Sequence, residues 1–459
     1  MAVEEKQSAA RFDPASFERF RFVSRDLGAD GRVTLRYALD ERVSFVEEFD
    51  LPSSVSPDEL AGERIQGLLS LLHWVAGVSY FKTAAPPQVS CETGAPPPAA
   101  AKLLEALYSE GLGEFAYTNA LPALPRPRFP RSAAAGAEGA RAPGLREPAR
   151  VLVPVGGGKD SAVALEIVRR SGLELALFSI GDAAAIARTV AVAGLPHLLV
   201  RRRLDPGLAQ LNRSGALNGH VPVTAIVSCV AALTGALAGF DAVAMANERS
   251  ASSGNLMWDG IEVNHQYSKS LPAERLLASA LAEIGGAPSC FSVLRPASEL
   301  AIARAFARME PYHGAFTSCN AIFRTDPSLR APSWCCDCPK CRFVFLVLAP
   351  FCEPAHLREI FGRDLLEEED QFEGFALLTA DGGPKPFECV GEEQESLAAI
   401  RMLAQQPRWA SHPVLRRLVE EVLSGQPSGA GDPGQALALG SDHDVPEALM
   451  ADVRAILGA

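Results

Sequence analysis

Hydrophobic and polar positions change period several times along the chain, and each change predicts an element. Arg19-Phe20-Arg21-Phe22-Val23 alternates, Asp30-Gly31 offers a turn, and Val33-Thr34-Leu35-Arg36-Tyr37 alternates again. Residues 43–49 supply a third run, so the spacing predicts a meander. Ser56-Pro57-Asp58-Glu59 reads as a helix start: a capping serine, a proline at the first helical position and a glutamate to close the box. The apolar helix behind it carries His73, expected in the core or on the helix surface rather than as a ligand. Residues 1–120 therefore read as an α+β domain. Over 121–149 six prolines, an alanine run and several arginines predict an extended linker, a solvated hinge rather than an RNA-binding arm.

From 150 to 350 short β-branched runs alternate with helical spacing, the pattern of a doubly wound parallel sheet. Strands are expected at 151–155, 175–180, 198–200, 242–246 and 291–294. Residues 221–240 contain no charge, but Pro222, Thr224, Ser228, Thr234 and Gly235 favour a helix buried against the sheet over a membrane span. Residues 351–459 are mostly helical, with amphipathic spacing over 354–366, 392–403 and 408–423 and a Gly/Pro/Ser break at 424–434.

Composition narrows the function classes. A chain of 459 residues with 48% hydrophobic and 21% charged positions has ample material for a core. The net charge of −12 disfavours a nucleic-acid surface, which needs a local excess of Lys and Arg. The first residues lack the apolar core of an export signal, and the ten cysteines cluster instead of forming a disulfide framework. Reduced thiols and a cytoplasmic location are the expectation.

The strand at 151–155 runs into Gly156-Gly157-Gly158-Lys159-Asp160-Ser161 and then a helix. Glycines there bring backbone N–H groups to a helix N-terminus, a concave anion site. Lys159 would add a mobile cation, and Ser161 a hydroxyl. Neither G-x-x-x-x-G-K-[ST] nor G-x-G-x-x-G is present. The run resembles the S-G-G-x-D-S loop of the PP-loop ATP pyrophosphatases, with Gly156 where that family usually has Ser.

Polar blocks follow at the predicted strand exits. Asn247-Glu248-Arg249 and Glu262-Val263-Asn264-His265-Gln266-Tyr267-Ser268-Lys269 read either as surface loops or as parts of a site. Arg295 could hold an anion or pair with a neighbouring acid, and Ser298 reads as an N-cap. Lys385-Pro386-Phe387-Glu388-Cys389-Val390-Gly391-Glu392 reads as a turn, or as a segment reaching across to the site. Cys319, Cys335, Cys338 and Cys341 offer four thiolates for a closed, structural zinc, with an iron–sulfur cluster or unliganded thiols as alternatives; Cys336 is out of phase. PP-loop enzymes that make cyano-deazaguanine have a comparable four-cysteine site.

Longer strings carry a more specific resemblance. "GVSYFK", "GLGEFAY", "PVGGGKDS", "LNGHVPVTA", "NERSAS", "EVNHQYSK", "LRPASELAIAR", "CPKCRFVFLVLAPF" and "KPFECVGE" resemble, in order, the UDP-N-acetyl-α-D-muramoyl-L-alanyl-L-glutamate epimerase family. The resemblance implies an ATP- and Mg²⁺-dependent inversion of the terminal L-Glu of UDP-MurNAc-L-Ala-L-Glu, a step of peptidoglycan precursor synthesis. It also implies partnership with the ligase that adds that L-Glu. Gly156, Gly157, Gly158, Lys159, Asp160 and Ser161 would hold ATP, with Asp160 near Mg²⁺, and Arg249 and Arg295 would hold substrate anions. His265, Lys269, Glu248 and Cys389 are the acid/base candidates, and Lys159→Ala is expected to abolish AMP formation without disturbing the fold. The rival readings are a PP-loop transferase that thiolates or amidates a base or metabolite, and a nucleotide-binding regulator without turnover.

Overall fold

The computed structural model describes residues 11–132, 147–323, 331, 333–379 and 385–458. Residues 133–146 of the predicted linker lie outside the described residues. The N-terminal strands are β1 (Arg19–Leu27), β2 (Arg32–Leu39), β3 (Val43–Asp50) and β4 (Gln88–Cys91). The later ones are β5 (Arg150–Pro154), β6 (Glu174–Ile180), β7 (His197–Arg203), β8 (Ala242–Met245), the small hairpin β9 (Leu256–Trp258) and β10 (Ile261–Val263), and β11 (Ser289–Ser292).

Nine strands form one sheet in the order β11-β8-β5-β6-β7-β3-β2-β1-β4. The meander and the parallel strands are thus continuous, joined where β3 runs antiparallel to β7 with Glu48 opposite Arg203, Phe49 opposite Arg202 and Asp50 opposite Arg201. Opposite charges close this seam: Arg203 pairs with Glu48 at 3.1 Å, and fully buried Glu47 takes Arg202 at 2.5 Å. Sequence periodicity locates strands, but the seam depends on these cross-strand pairs.

Within the nine-stranded sheet, from β5 onward all pairings except the seam are parallel, so the order from β7 to β11 is that of a doubly wound sheet. The switch point falls between β5 and β8, and the crevice above their C-terminal ends is where such sheets place ligands. Helix Lys159–Arg170 leaves β5 there, and Asn247 and Glu248 follow β8. The uncharged stretch forms helix Val223–Ala238, packed on helix Glu63–Ala76 with both in one apolar core. Among the described residues no helix is long and apolar enough to cross a membrane.

The capping box at Ser56 and Glu59 is formed, and His73 is fully buried with Nε2 3.1 Å from the Arg36 carbonyl. Other expectations shift. The last strand lies at 289–292, and the helix expected over 354–366 stops at Phe361 because Gly362 turns left-handed at φ +79°. The helix expected over 408–423 is broken into short turns around Pro413.

Candidate active site

The glycine run turns between β5 and helix Lys159–Arg170. Gly157 has φ +82°, and a Cβ there would lie 2.6 Å from Ala185 Cβ, so only glycine fits. A Cβ at Gly156 meets nothing within 4 Å; the serine usual in PP loops would fit there. The helix begins at Gly158 with no side-chain cap, leaving its first N–H groups to a ligand. Segment 317–319 braces the loop: Thr317 N–H donates to the Gly157 carbonyl at 2.9 Å.

Lys159 is not mobile. Its ammonium is fully buried and paired with both Asp160 and Glu299. Burial pushes the Asp160 carboxyl up, reinforced by Glu299 and opposed by Lys159. Glu299 also suffers burial, but Lys159 and Lys340 outweigh it and hold its pKa at about 2. Removing Lys159 would strand two buried carboxylates, a loss of about 3–5 kcal/mol, so Lys159→Ala does not leave the fold undisturbed as the sequence suggested. Ser161 Oγ is turned back onto the Gly158 carbonyl at 2.9 Å.

Lys340 connects this loop to a second cluster. Its Nζ lies 3.6 Å from Glu299 Oε1 and donates to the Cys389 carbonyl. The block from Lys385 to Glu392 therefore does cross to the site, held by Asn255 Nδ2 donating to the Pro386 carbonyl at 2.7 Å and Ser253 Oγ to Glu392 at 2.6 Å. Lys269 Nζ is 3.5 Å from Cys389 Sγ, and His265 lies close enough to act on the same thiol. Burial alone would raise the Cys389 thiol, but Lys269, His265 and Lys340 bring its pKa down to about 7. His265 is penalised by burial yet raised to about 9, because Cys389 and Glu114 hold its proton; Nδ1 bonds Glu114 directly. Lys269 is likewise disfavoured by burial but kept protonated by Cys389, Glu248, Asp160 and Glu299. His220 stacks on His265 with ring centroids 4.2 Å apart. Burial and the neighbouring charges of His265, Lys269 and Lys82 push it to about 3.

All four acid/base candidates thus meet: Cys389, His265 and Lys269 in contact, with the Glu248 carboxylate close enough to act on Lys269. The arginines behave differently. Arg295 is 1% exposed and committed to Glu274 Oε2 at 2.7 Å and the Glu248 carbonyl at 2.6 Å, so it is the ion-pair partner, not the anion holder. It fixes the backbone that carries Glu248 and Lys269. Arg249 reaches the Ala438 carbonyl at 3.0 Å. Glu114, His220, Glu299 and Lys340 were missed as site residues, although they lie inside the strings GLGEFAY, LNGHVPVTA, LRPASELAIAR and CPKCRFVFLVLAPF. They are far apart in sequence, and only the fold gathers them.

The four cysteines also converge. The sulfurs of Cys319, Cys335, Cys338 and Cys341 lie within 4.8 Å of one another, and Cys335 and Cys341 are 3.7 Å apart. A tetrahedral zinc with about 2.3 Å Zn–S bonds has an S···S edge of about 3.8 Å. The donor set fits a closed structural zinc. Cys336 stands outside it, with Sγ 3.3 Å from the Phe361 carbonyl.

Comparison with known proteins decides the family. The MurL N-terminal domain family matches residues 11–293, and the MurL C-terminal domain family matches 315–431. A UDP-N-acetyl-alpha-D-muramoyl-L-alanyl-L-glutamate epimerase of Salinispora tropica is 46% identical over 423 residues, covering 90% of this chain and 89% of the relative. The protein of that name from Xanthomonas oryzae pv. oryzae is 40% identical over 449 residues, covering 97% and 98%. The chain belongs to the MurL epimerase family. A Micromonospora member is 44% identical over 447 residues. The N-terminal MurL match spans the seam between β3 and β7, and the C-terminal match spans all four clustered cysteines and Cys389.

Proposed function

We propose that this chain inverts the terminal L-Glu of UDP-MurNAc-L-Ala-L-Glu to D-Glu in the cytoplasm, using ATP to activate the α-carboxylate. The observation that carries this reading is the cluster of Cys389, His265 and Lys269 linked by Lys340 and Glu299 to the glycine loop before helix Lys159–Arg170. A carboxylate resists loss of its α-proton, because deprotonation sets a second negative charge beside the first. The substrate's α-carboxylate oxygen attacks the α-phosphorus, the bond to the β-phosphate breaks, and diphosphate leaves. The resulting acyl adenylate is neutral at the carbonyl and can accept the electron pair of an enolate.

The Cys389 thiolate removes the α-proton, and the electron pair of the C–H bond moves into the enolate. The His265 imidazolium, oriented by Glu114, returns a proton from the opposite face. Water attacks the acyl carbon, and cleavage of the carbon–oxygen bond releases AMP and the inverted carboxylate. After the product leaves, Cys389, now a thiol, returns its proton to neutral His265 and the pair is reset. N–H groups of Gly156, Gly157 and Gly158 at the helix N-terminus hold the phosphates, and Asp160 is the nearest candidate for Mg²⁺. Magnesium, when bound, would offset phosphate charge. The upstream partner is the ligase activity that adds L-Glu to the muramoyl-L-alanine precursor.

AMP should form only when the dipeptide substrate is present. Cys389→Ala should slow inversion by about 10²–10⁴-fold while substrate-dependent AMP release persists. AMP release without substrate would favour a regulator or an unrelated transferase. Unchanged inversion in Cys389→Ala would remove the thiol from the mechanism.

A further inference from the structure

Lys82 is a buried cation without a counter-charge. It is 6% exposed, and its ammonium rests on the Asn218 side-chain oxygen. Among the described residues no carboxylate lies within ion-pair distance of it, whereas Lys159 and Lys340 both pair with Glu299. Burial is what lowers its pKa, to about 8, with no neighbouring acid to offset the loss of water. A buried charge left in this way marks a place where a ligand supplies the missing partner.

The surroundings fix which part of the ligand arrives. Leu217 N–H donates to the Thr83 carbonyl at 3.0 Å, and Asn119 Nδ2 holds the Asn218 carbonyl at 2.9 Å, so the two segments are locked together. Two residues past Asn218, His220 stacks on His265, and the Lys82 charge reaches His220. Lys82 therefore lies on the histidine side of the cluster, whereas Lys340 joins the cluster to the glycine loop through Glu299.

We propose that Lys82 and Asn218 form the subsite for the side-chain carboxylate of the residue being inverted. This rests on the epimerase reading above. Once the α-carboxylate is adenylated, the side-chain carboxylate is the free carboxylate remaining next to the reacting carbon. The Lys82 ammonium donates to it, and the Asn218 amide N–H₂ supplies a second hydrogen bond. Anchoring the γ-carboxylate there holds Cα in place while its hydrogen is exchanged, and selects glutamate over uncharged residues.

The test compares UDP-MurNAc-L-Ala-L-Glu with its L-Gln analogue, which has the same shape and no side-chain charge. In wild type, kcat/KM for inversion should favour Glu by about 10²-fold. Lys82→Met should lose that preference by slowing Glu alone, bringing the ratio to within a few-fold of one, and Lys82→Arg should restore part of it. Because Met removes an unpaired buried charge, unliganded Lys82→Met should melt no lower than wild type. Retention of the ratio in Lys82→Met, equal losses on both substrates, or a lowered melting temperature with unchanged selectivity would each overturn the proposal; equal losses would point instead to the substrate's diphosphate. Asn218→Leu provides the same ratio test on an independent variant should Lys82→Met not fold. Failure of wild type to invert the Glu substrate at all would count against the epimerase reading, not against the subsite.

Discussion

At the scale of single residues the site works through charge compensation in a dry place. In the proposed mechanism Cys389 can serve as a base because Lys269, His265 and Lys340 lower its pKa, and His265 keeps its proton because Cys389 and Glu114 face it. The pair needs thiolate and imidazolium together. The thiol ionises as pH rises through about 7, and the imidazolium is lost as pH rises through about 9. The kcat/KM profile for inversion should therefore climb near the first value and fall near the second, as properties of the coupled pair. Glu114→Gln removes one of the interactions that raise His265, so its alkaline limb should move to lower pH; an unmoved limb would dissociate His265 from the profile. Much of this was legible in the chain. His265 and Lys269 sit within one short polar block, and Cys389 lies in a polar block too odd for an ordinary helix connection. Glu114 was not legible, because 151 residues separate it from His265 and it occurs alone in an apolar helical stretch. Lys159 was read as mobile because sequence cannot show that Glu299, 140 residues on, meets its ammonium.

At the scale of elements the four-cysteine knot does more than staple the fold. Cys319 ends the segment whose Thr317 N–H braces Gly157, and Lys340 lies between Cys338 and Cys341 with its ammonium shared by Glu299 and the Cys389 carbonyl. A metal that fixes four sulfurs would thus fix one wall of the phosphate loop and the bridge to the thiol. Stripping it with a chelator should lower the melting temperature and AMP formation together, with about one zinc per chain recovered by metal analysis. A metal-free preparation with full stability and activity would contradict that role. The spacing of the cysteines was readable without a structure, and so was the strand-turn-helix order of the glycine loop. The seam between β3 and β7 was not. Its ladder is only three residue pairs long and its specificity lies in Glu47 meeting Arg202, and Glu48 and Asp50 meeting Arg203, charges that in isolation read as an exposed edge.

At the scale of the molecule, one continuous sheet gathers the N-terminal region, the parallel-strand region and the C-terminal helical region around one cluster of side chains. Lys82 and Glu114 come from the first, Lys159, Glu248, His265, Lys269 and Glu299 from the second, and Cys389 from the third. The loop that would spend ATP and the cluster that would move a proton share one wall, which is what an inversion coupled to carboxylate activation requires. The central claim is that activation makes the α-hydrogen removable. Incubation with UDP-MurNAc-L-Ala-L-Glu and Mg²⁺ in D₂O, with and without ATP, tests it directly. The account predicts one deuteron at the glutamate α-carbon and D-Glu on hydrolysis only when ATP is present, and inversion or deuterium incorporation at the same rate without ATP would contradict it.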